Sequence, residues 1–260
     1  MIVPFVKYQG TGNDFIIIDQ RQQQYLKKGD TEMIRFLCDR RFGIGADGLM
    51  LLENDDHSSF RMVYFNADGN ESTMCGNGGR CIAHFAYKKG VFLGKTTFEA
   101  IDGLHEVEIQ DDEVHLKMID VPMINEATDD DYILFTGSPH YVRLTSKIPE
   151  NIVLEGRSVR YSETFKKEGI NVNFTVFDKN ENKAIVATYE RGVEDETLSC
   201  GTGVTAAALA CAKKYYAPSP VRVETKGGQL SVSFRENEDG FTDVWLSGPA
   251  TFVFEGTIIL

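Results

Sequence analysis

With 260 residues, 42% hydrophobic and 25% charged, the chain is long enough for a large core and has the make-up of a soluble globular protein of one or two domains. A net charge of −12 and a pI near 4.9 argue against a nucleic-acid or anionic-membrane partner. No apolar run approaches the ~20 residues of a membrane span, and Met1 to Phe15 lacks the basic-then-apolar layout of a signal peptide, so a cytoplasmic location is expected.

Val3 to Tyr8 reads as a strand, Gly10-Thr11-Gly12-Asn13-Asp14 as a turn with Asn13 a candidate for positive φ, and Phe15 to Asp19 as a second strand. Asp30 to Phe42 has helical spacing, with Asp30 or Thr31 as N-cap and Ile34, Leu37 and Cys38 on one face. A glycine-rich loop, 43–48, precedes the apolar Leu49 to Leu52, and Phe60 to Asn66 alternates as a strand. A helix follows Cys75 and ends by Gly90. Phe98 to Ala100, His105 to Ile109 and Val114 to Ile119 read as an antiparallel meander. Val121-Pro122 and the acidic Glu126 to Asp131 read as a linker.

The second half repeats the order. Ile133 to Phe135 is a strand. Thr136 to His140 turns into Tyr141 to Leu144, and Ser158 to Glu168 has a weaker helical pattern. Asn171 to Phe177 alternates with two asparagines on one face, whose carboxamides need a ligand or a polar network. Ala184 to Tyr189 leads into Glu190-Arg191-Gly192. A second helix follows Cys200, and four strands within 221–254 close the chain. Ala206-Ala207-Ala208-Leu209-Ala210 has almost no polar face, so its helix should lie buried inside its own sheet. The fold class expected is α+β: two pseudo-symmetric lobes, each a mostly antiparallel sheet or barrel around an apolar helix, with the active site in the cleft between them. The boundaries expected are 1–122, joined by the last strand 251–260, and 123–250.

Two stretches match. Glu71-Ser72-Thr73-Met74-Cys75-Gly76-Asn77-Gly78 and Glu196-Thr197-Leu198-Ser199-Cys200-Gly201-Thr202-Gly203 each place Glu four before a cysteine, a hydroxyl three before, and Gly-x-Gly after. They lie close to half a chain apart, as a duplicated unit requires. A helix start carries unpaired N–H groups and partial positive charge, which favour a thiolate and also suit a carboxylate. Glu71 and Glu196 read as caps of local turns. The other cysteines, Cys38, Cys81 and Cys211, read as packing residues. Five cysteines with no Cys-x-x-Cys give neither a disulfide framework nor a zinc site. Two thiols facing one carbon from opposite sides suit removal and return of an α-proton with inversion, and that chemistry requires no metal or cofactor.

The segments Lys7 to Phe15, Phe65-Asn66-Ala67-Asp68-Gly69, Met74 to Cys81, Glu190-Arg191-Gly192 and Cys200 to Gly203 together resemble the diaminopimelate epimerases over nearly the whole chain. The resemblance implies a pyridoxal-phosphate-independent epimerase that interconverts LL- and meso-diaminopimelate for lysine and peptidoglycan precursors, as a homodimer. It implies Cys75 and Cys200 as base and acid, and His140 and Glu190 as groups that tune the thiols. N–H groups of Gly76, Asn77, Gly201 and Thr202 would bind the reacting carboxylate. Asn13 and Glu190 would hold the reacting amino group, and Asn66, Asn171 and Arg191 the far amino-acid end. Two positions depart from common patterns: Gly48, where some members have Gln, and Ser138, where many have Asn. A racemase of the same fold acting on proline, hydroxyproline or histidine, a thiol hydrolase with His140 as base, and a non-catalytic binding protein are the competing readings.

Overall fold

The computed structural model describes residues 1–260, which divide into two units: Met1–Leu116 with Pro249–Leu260, and Lys117–Gly248. The first unit holds β1 (Ile2–Gly10), β2 (Asn13–Asp19), α1 (Thr31–Cys38), β3 (Gly48–Glu53), β4 (Arg61–Asn66), α2 (Gly76–Lys88), β5 (Lys95–Ala100), β6 (Gly103–Gln110) and β7 (Glu113–Lys117). The second holds β8 (Asn125–Glu126), β9 (Asp131–Phe135), β10 (Pro139–Leu144), α3 (Ile152–Arg160), β11 (Asn171–Asp178), β12 (Lys183–Glu190), β13 (Asp195–Thr197), α4 (Gly201–Tyr215), β14 (Val221–Thr225), β15 (Gly228–Asn237) and β16 (Gly240–Gly248). The last strand, β17 (Thr251–Ile259), returns to the first unit and pairs antiparallel along the outer side of β1.

Both units are α+β and follow one plan. From β1 to β7, successive neighbours pair antiparallel, parallel, antiparallel, parallel, antiparallel and antiparallel. From β9 through β12 and on to β14, β15 and β16, the same senses recur in the same order. A parallel step needs a crossover, and each is carried by a helix: α1 and α2 in one unit, α3 and α4 in the other. α2 and α4 therefore occupy equivalent places.

In the first unit, the apolar runs of β2 and β3 are buried on both faces, as parallel strands covered on both sides require. Ile16, Ile18, Leu49 and Leu51 pack with Ile34, Leu37 and Cys38 of α1 in one core cluster. Residues alternate across a strand, so Met50 turns to the other face, toward the start of α2. In the second unit, α4 lies against β9 to β12 and β14 to β16, and Val204 to Ala212 are all buried. Alanine suits this place: it forms helix readily, and its small side chain admits strands on every side.

Three local readings are corrected. The helix expected over 158–168 is α3, Ile152–Arg160, because Asn151 Oδ1 caps it by accepting from the Leu154 N–H at 2.9 Å. Residues 126–131 are no linker. Glu126 pairs in β8, and Asp131, buried, holds Arg143 at 2.7 Å in the β9–β10 hairpin. The unit boundary falls after Leu116 rather than at 122, because Met118 N–H donates to Val244 O at 2.9 Å and Val121 bridges Phe241.

Candidate active site

The β1–β2 hairpin turns on Thr11 and Gly12, at φ 49° and 87°, so the left-handed residues precede Asn13. Positive φ at both central residues is the two-residue turn that matches strand twist. Asn13 is thereby the first residue of β2, and its Nδ2 donates to Asp47 Oδ2 at 2.7 Å. That leaves Oδ1 toward Asn77 Nδ2 at 3.4 Å and Cys75 Sγ at 4.0 Å. Asp47 is steadied by Arg40 at 2.7 Å, and Arg40 also grips Asp14. Arg40 and then Lys7, through hydrogen bonds and charge, hold the Asp14 carboxyl well below the usual carboxylate range despite its burial. Asp47, the residue that orients Asn13, was not found from sequence; its only signal was a carboxylate at the end of the 43–48 glycine loop.

Cys75 is the N-cap of α2 at φ −104°, ψ 145°, and its sulfur accepts from the Gly78 N–H at 3.2 Å. Gly76 and Asn77 begin the helix, with their N–H groups at its positive end. Asn66 ends β4, and its carboxamide makes no hydrogen bond within the chain. Gly48 pairs across from it. A Cβ at Gly48 would meet Tyr64 Cε2 at 2.6 Å and Phe65 O at 2.7 Å, so the Tyr64 ring fills the space that a side chain at 48 would need.

The second unit repeats the arrangement with different partners. Cys200 is the N-cap of α4, with Gly201 and Thr202 as the first helical residues, but no N–H of the helix caps its sulfur. Instead Thr202 Oγ1 stands 3.4 Å from Sγ, and Thr202 Oγ1 is 2.9 Å from His140 Nε2. Asn173 Nδ2 donates both to Tyr141 O at 3.3 Å and to His140 Nδ1 at 2.9 Å. The carbonyl acceptor fixes which end of that amide carries hydrogen, so His140 Nδ1 accepts and Nε2–H donates to Thr202. Thr188 Oγ1 completes the chain by donating to Asn173 Oδ1 at 2.9 Å. The network thus runs from Thr188 through Asn173, His140 and Thr202 to the Cys200 sulfur.

Burial, and then the nearby Arg191 charge, push the His140 pKa down to about 3, so the ring is neutral across ordinary pH. His140 touches Thr202 rather than the thiol, which removes the reading of His140 as a base acting directly on a nucleophile. The folded pKa lies below the unfolded 6.5, so the folded protein refuses a proton that the unfolded chain accepts. Stability should therefore fall as pH drops from about 6.5 toward 3. In an acid-unfolding titration followed by circular dichroism, His140→Gln should flatten that segment; an unchanged slope would contradict the assignment.

Asn171 uses both amide hydrogens, on Ser138 Oγ at 2.9 Å and Pro139 O at 3.1 Å, and its Oδ1 accepts from the Arg191 N–H at 2.8 Å. It positions Arg191, and the Ser138 hydroxyl is engaged by Asn171. The Arg191 guanidinium is exposed and donates to Glu168 O at 3.0 Å, with Glu190 just before it at the end of β12. Glu71 and Glu196 serve in ion pairs, to Lys28 at 2.5 Å and to Lys226 at 2.6 Å, rather than as caps. Burial raises the Cys38 thiol to about 12 and pushes Cys81 and Cys211 up as well. These three thiols stay protonated and pack.

The profile of the family described as diaminopimelate epimerase matches residues 5–124 and 132–253. The chain belongs to the diaminopimelate epimerase family. It is 51% identical over 256 residues to the diaminopimelate epimerase of Flavobacterium psychrophilum, covering 97% of this chain and 98% of that protein. To the diaminopimelate epimerase of Chlorobaculum tepidum it is 41% identical over 261 residues, covering 96% and 99%. Among solved structures, a PhzF-family phenazine biosynthesis protein of Bacillus anthracis aligns at TM-score 0.77 with 13% identity over the whole of both chains. A hydroxyproline epimerase from Agrobacterium vitis aligns at 0.67 with 14% identity, over 100% of this chain and 93% of that one. Those two share the fold. Membership of this family makes the chain an isomerase that works without pyridoxal phosphate. No helix is long and apolar enough to cross a membrane.

Proposed function

We propose that the chain interconverts LL- and meso-diaminopimelate by moving the α-proton between Cys75 and Cys200. One observation carries this reading: equivalent helices of two units that share one topology each begin at a cysteine N-cap followed by Gly-x-Gly. One sulfur, as thiolate, takes the α-proton while the other, as thiol, gives one to the opposite face. The C–H bond broken is replaced by a C–H bond formed, and the enzyme ends with its two protonation states exchanged. N–H groups of Gly76, Asn77, Gly201 and Thr202 receive the carboxylate on which carbanion charge develops. Asn13, oriented by Asp47, offers its oxygen to the reacting ammonium together with Glu190. Arg191 takes the distal carboxylate through its fork, Asn171 holds the Arg191 backbone, and Asn66 binds the same end of the substrate. His140 tunes Cys200 through Thr202, and Glu190 contributes charge near the thiols. The product would serve lysine and peptidoglycan precursor synthesis in the cytoplasm.

A homodimer fits the outer strand. β17 exposes Phe252, Val253 and Phe254 at 48%, 50% and 44%, an apolar edge of the kind that another chain covers. Phe254→Glu should shift the protein toward monomer in sedimentation velocity, and an unmoved boundary would remove β17 from the interface.

The function itself is tested in D₂O with LL-diaminopimelate, proline and histidine offered in parallel. Deuterium should enter the α-carbon of diaminopimelate alone. Exchange into proline with none into diaminopimelate would replace this reading with that of a proline racemase.

A further inference from the structure

Glu194 lies in the loop that joins β12 to β13, and its backbone is left-handed at φ 59°. Glycine, asparagine and aspartate visit that region readily; glutamate stays there only where its surroundings hold it. The loop supplies one hold. β12 and β13 pair antiparallel with Glu190 opposite Asp195, and the Glu194 N–H closes the turn on Glu190 O at 2.8 Å.

The side chain supplies the rest. Oε1 accepts from the Gly192 N–H at 3.2 Å and pairs with Arg160 Nε at 3.4 Å. Oε2 accepts from the Tyr189 hydroxyl at 2.7 Å and the Tyr161 hydroxyl at 3.0 Å. The loop, the end of β12 and the C-terminal end of α3 thus meet on one carboxylate. The last two are firmly packed. Tyr189 is fully buried in a core cluster with Ile152 and Val159 of α3, and a Cβ at Gly156 would meet Tyr189 Cβ at 2.4 Å. Glu194 therefore pins an exposed loop to a rigid wall.

Arg191 is what that loop carries. Its N–H is held by Asn171 Oδ1 at 2.8 Å, and Nη1 donates to Glu168 O at 3.0 Å. Its stem passes over Gly169, which is at φ 75°: a Cβ there would stand 2.7 Å from Arg191 Cδ and 2.7 Å from Arg160 Cζ. The two arginines are neighbours, and like charges repel. Glu194 gives Arg160 a carboxylate of its own, which leaves the Arg191 fork to one from outside.

We propose that Glu194 is a positioning residue that fixes the Arg191 guanidinium and so sets affinity for the distal carboxylate of the substrate. This rests on the reading of Arg191 given above. Without the carboxylate the loop must be ordered as substrate binds, and that cost falls on binding rather than on proton transfer.

The test is steady-state epimerisation of LL-diaminopimelate by Glu194→Gly and Arg191→Met beside the natural protein, with hydrogen–deuterium exchange of segment 190–195 followed by mass spectrometry. Glycine adopts positive φ freely, so Glu194→Gly deletes the carboxylate and leaves the turn unstrained. It should raise KM about tenfold with kcat within about threefold. Exchange in 190–195 should quicken by roughly fivefold or more, with the rest of the chain unchanged. A natural KM in this variant overturns the inference, because turn shape alone then suffices. Unchanged exchange in 190–195 overturns it, and so does a loss confined to kcat. Arg191→Met separates the two readings. KM unmoved by that variant removes Arg191 from the substrate and the inference with it; KM raised by it but not by Glu194→Gly overturns the inference alone. If Glu194→Gly fails to fold, Glu194→Gln is read by the same criteria with a rise in KM of about threefold, since its amide nitrogen would meet the Gly192 N–H and Arg160 donor against donor.

Discussion

Alanine at Cys75, and separately at Cys200, should each remove epimerisation of LL-diaminopimelate, by about 10³-fold or more. Neither the other thiols nor His140 can substitute. Cys38, Cys81 and Cys211 are held protonated by burial, and His140 is neutral with both ring nitrogens engaged. The single variants should nevertheless differ from a dead protein in an informative way. A remaining thiol can still remove the α-proton that faces it and return a deuteron to the same face. Each variant should therefore exchange one stereoisomer without inverting it, and the two variants should prefer opposite isomers. Proton NMR in D₂O, with chiral separation of the products, reads both events. Near-natural turnover in either variant would end the two-thiol scheme.

Gly203→Ala should be nearly as damaging, although it adds one methyl group. A Cβ at 203 would overlap Asn173 Oδ1 and approach His140 Cε1 to 3.3 Å. Asn173 cannot swing aside cheaply, because it is fully buried and tied to Thr188, Tyr141 and His140. Overpacking costs about 1–3 kcal/mol, and a broken buried hydrogen bond about as much again. The displacement would pass through His140 and Thr202 to the Cys200 sulfur. Expected are a melting temperature lower by roughly 5–15 °C and a loss of activity of about 10²-fold or more, since misplaced catalytic groups lose rate steeply. Normal stability with normal turnover would show that the network is not what fixes Cys200.

Much of this was legible in the chain itself. The matched Cys-Gly-x-Gly stretches located the two helix starts, and the alanine run of α4 announced a helix enclosed by its own sheet. What escaped was long-range. Asn173 was visible as one of two buried asparagines, but only the β10–β11 pairing, with His140 opposite Asn171, shows that Asn173 bonds the imidazole. Asp47 acts on Asn13 across 34 positions of sequence. The acidic 126–131 stretch looked like a linker because composition cannot reveal that Arg143 folds back onto Asp131.

The Tyr64 ring at Gly48 has a consequence for how relatives diverge. A side chain at 48 would press on both the Tyr64 ring and the Phe65 carbonyl. A glutamine there therefore asks for more than a slimmer residue at 64: the β4 backbone at Phe65 must also draw back, so a relative that carries it should show a locally shifted β3–β4 spacing.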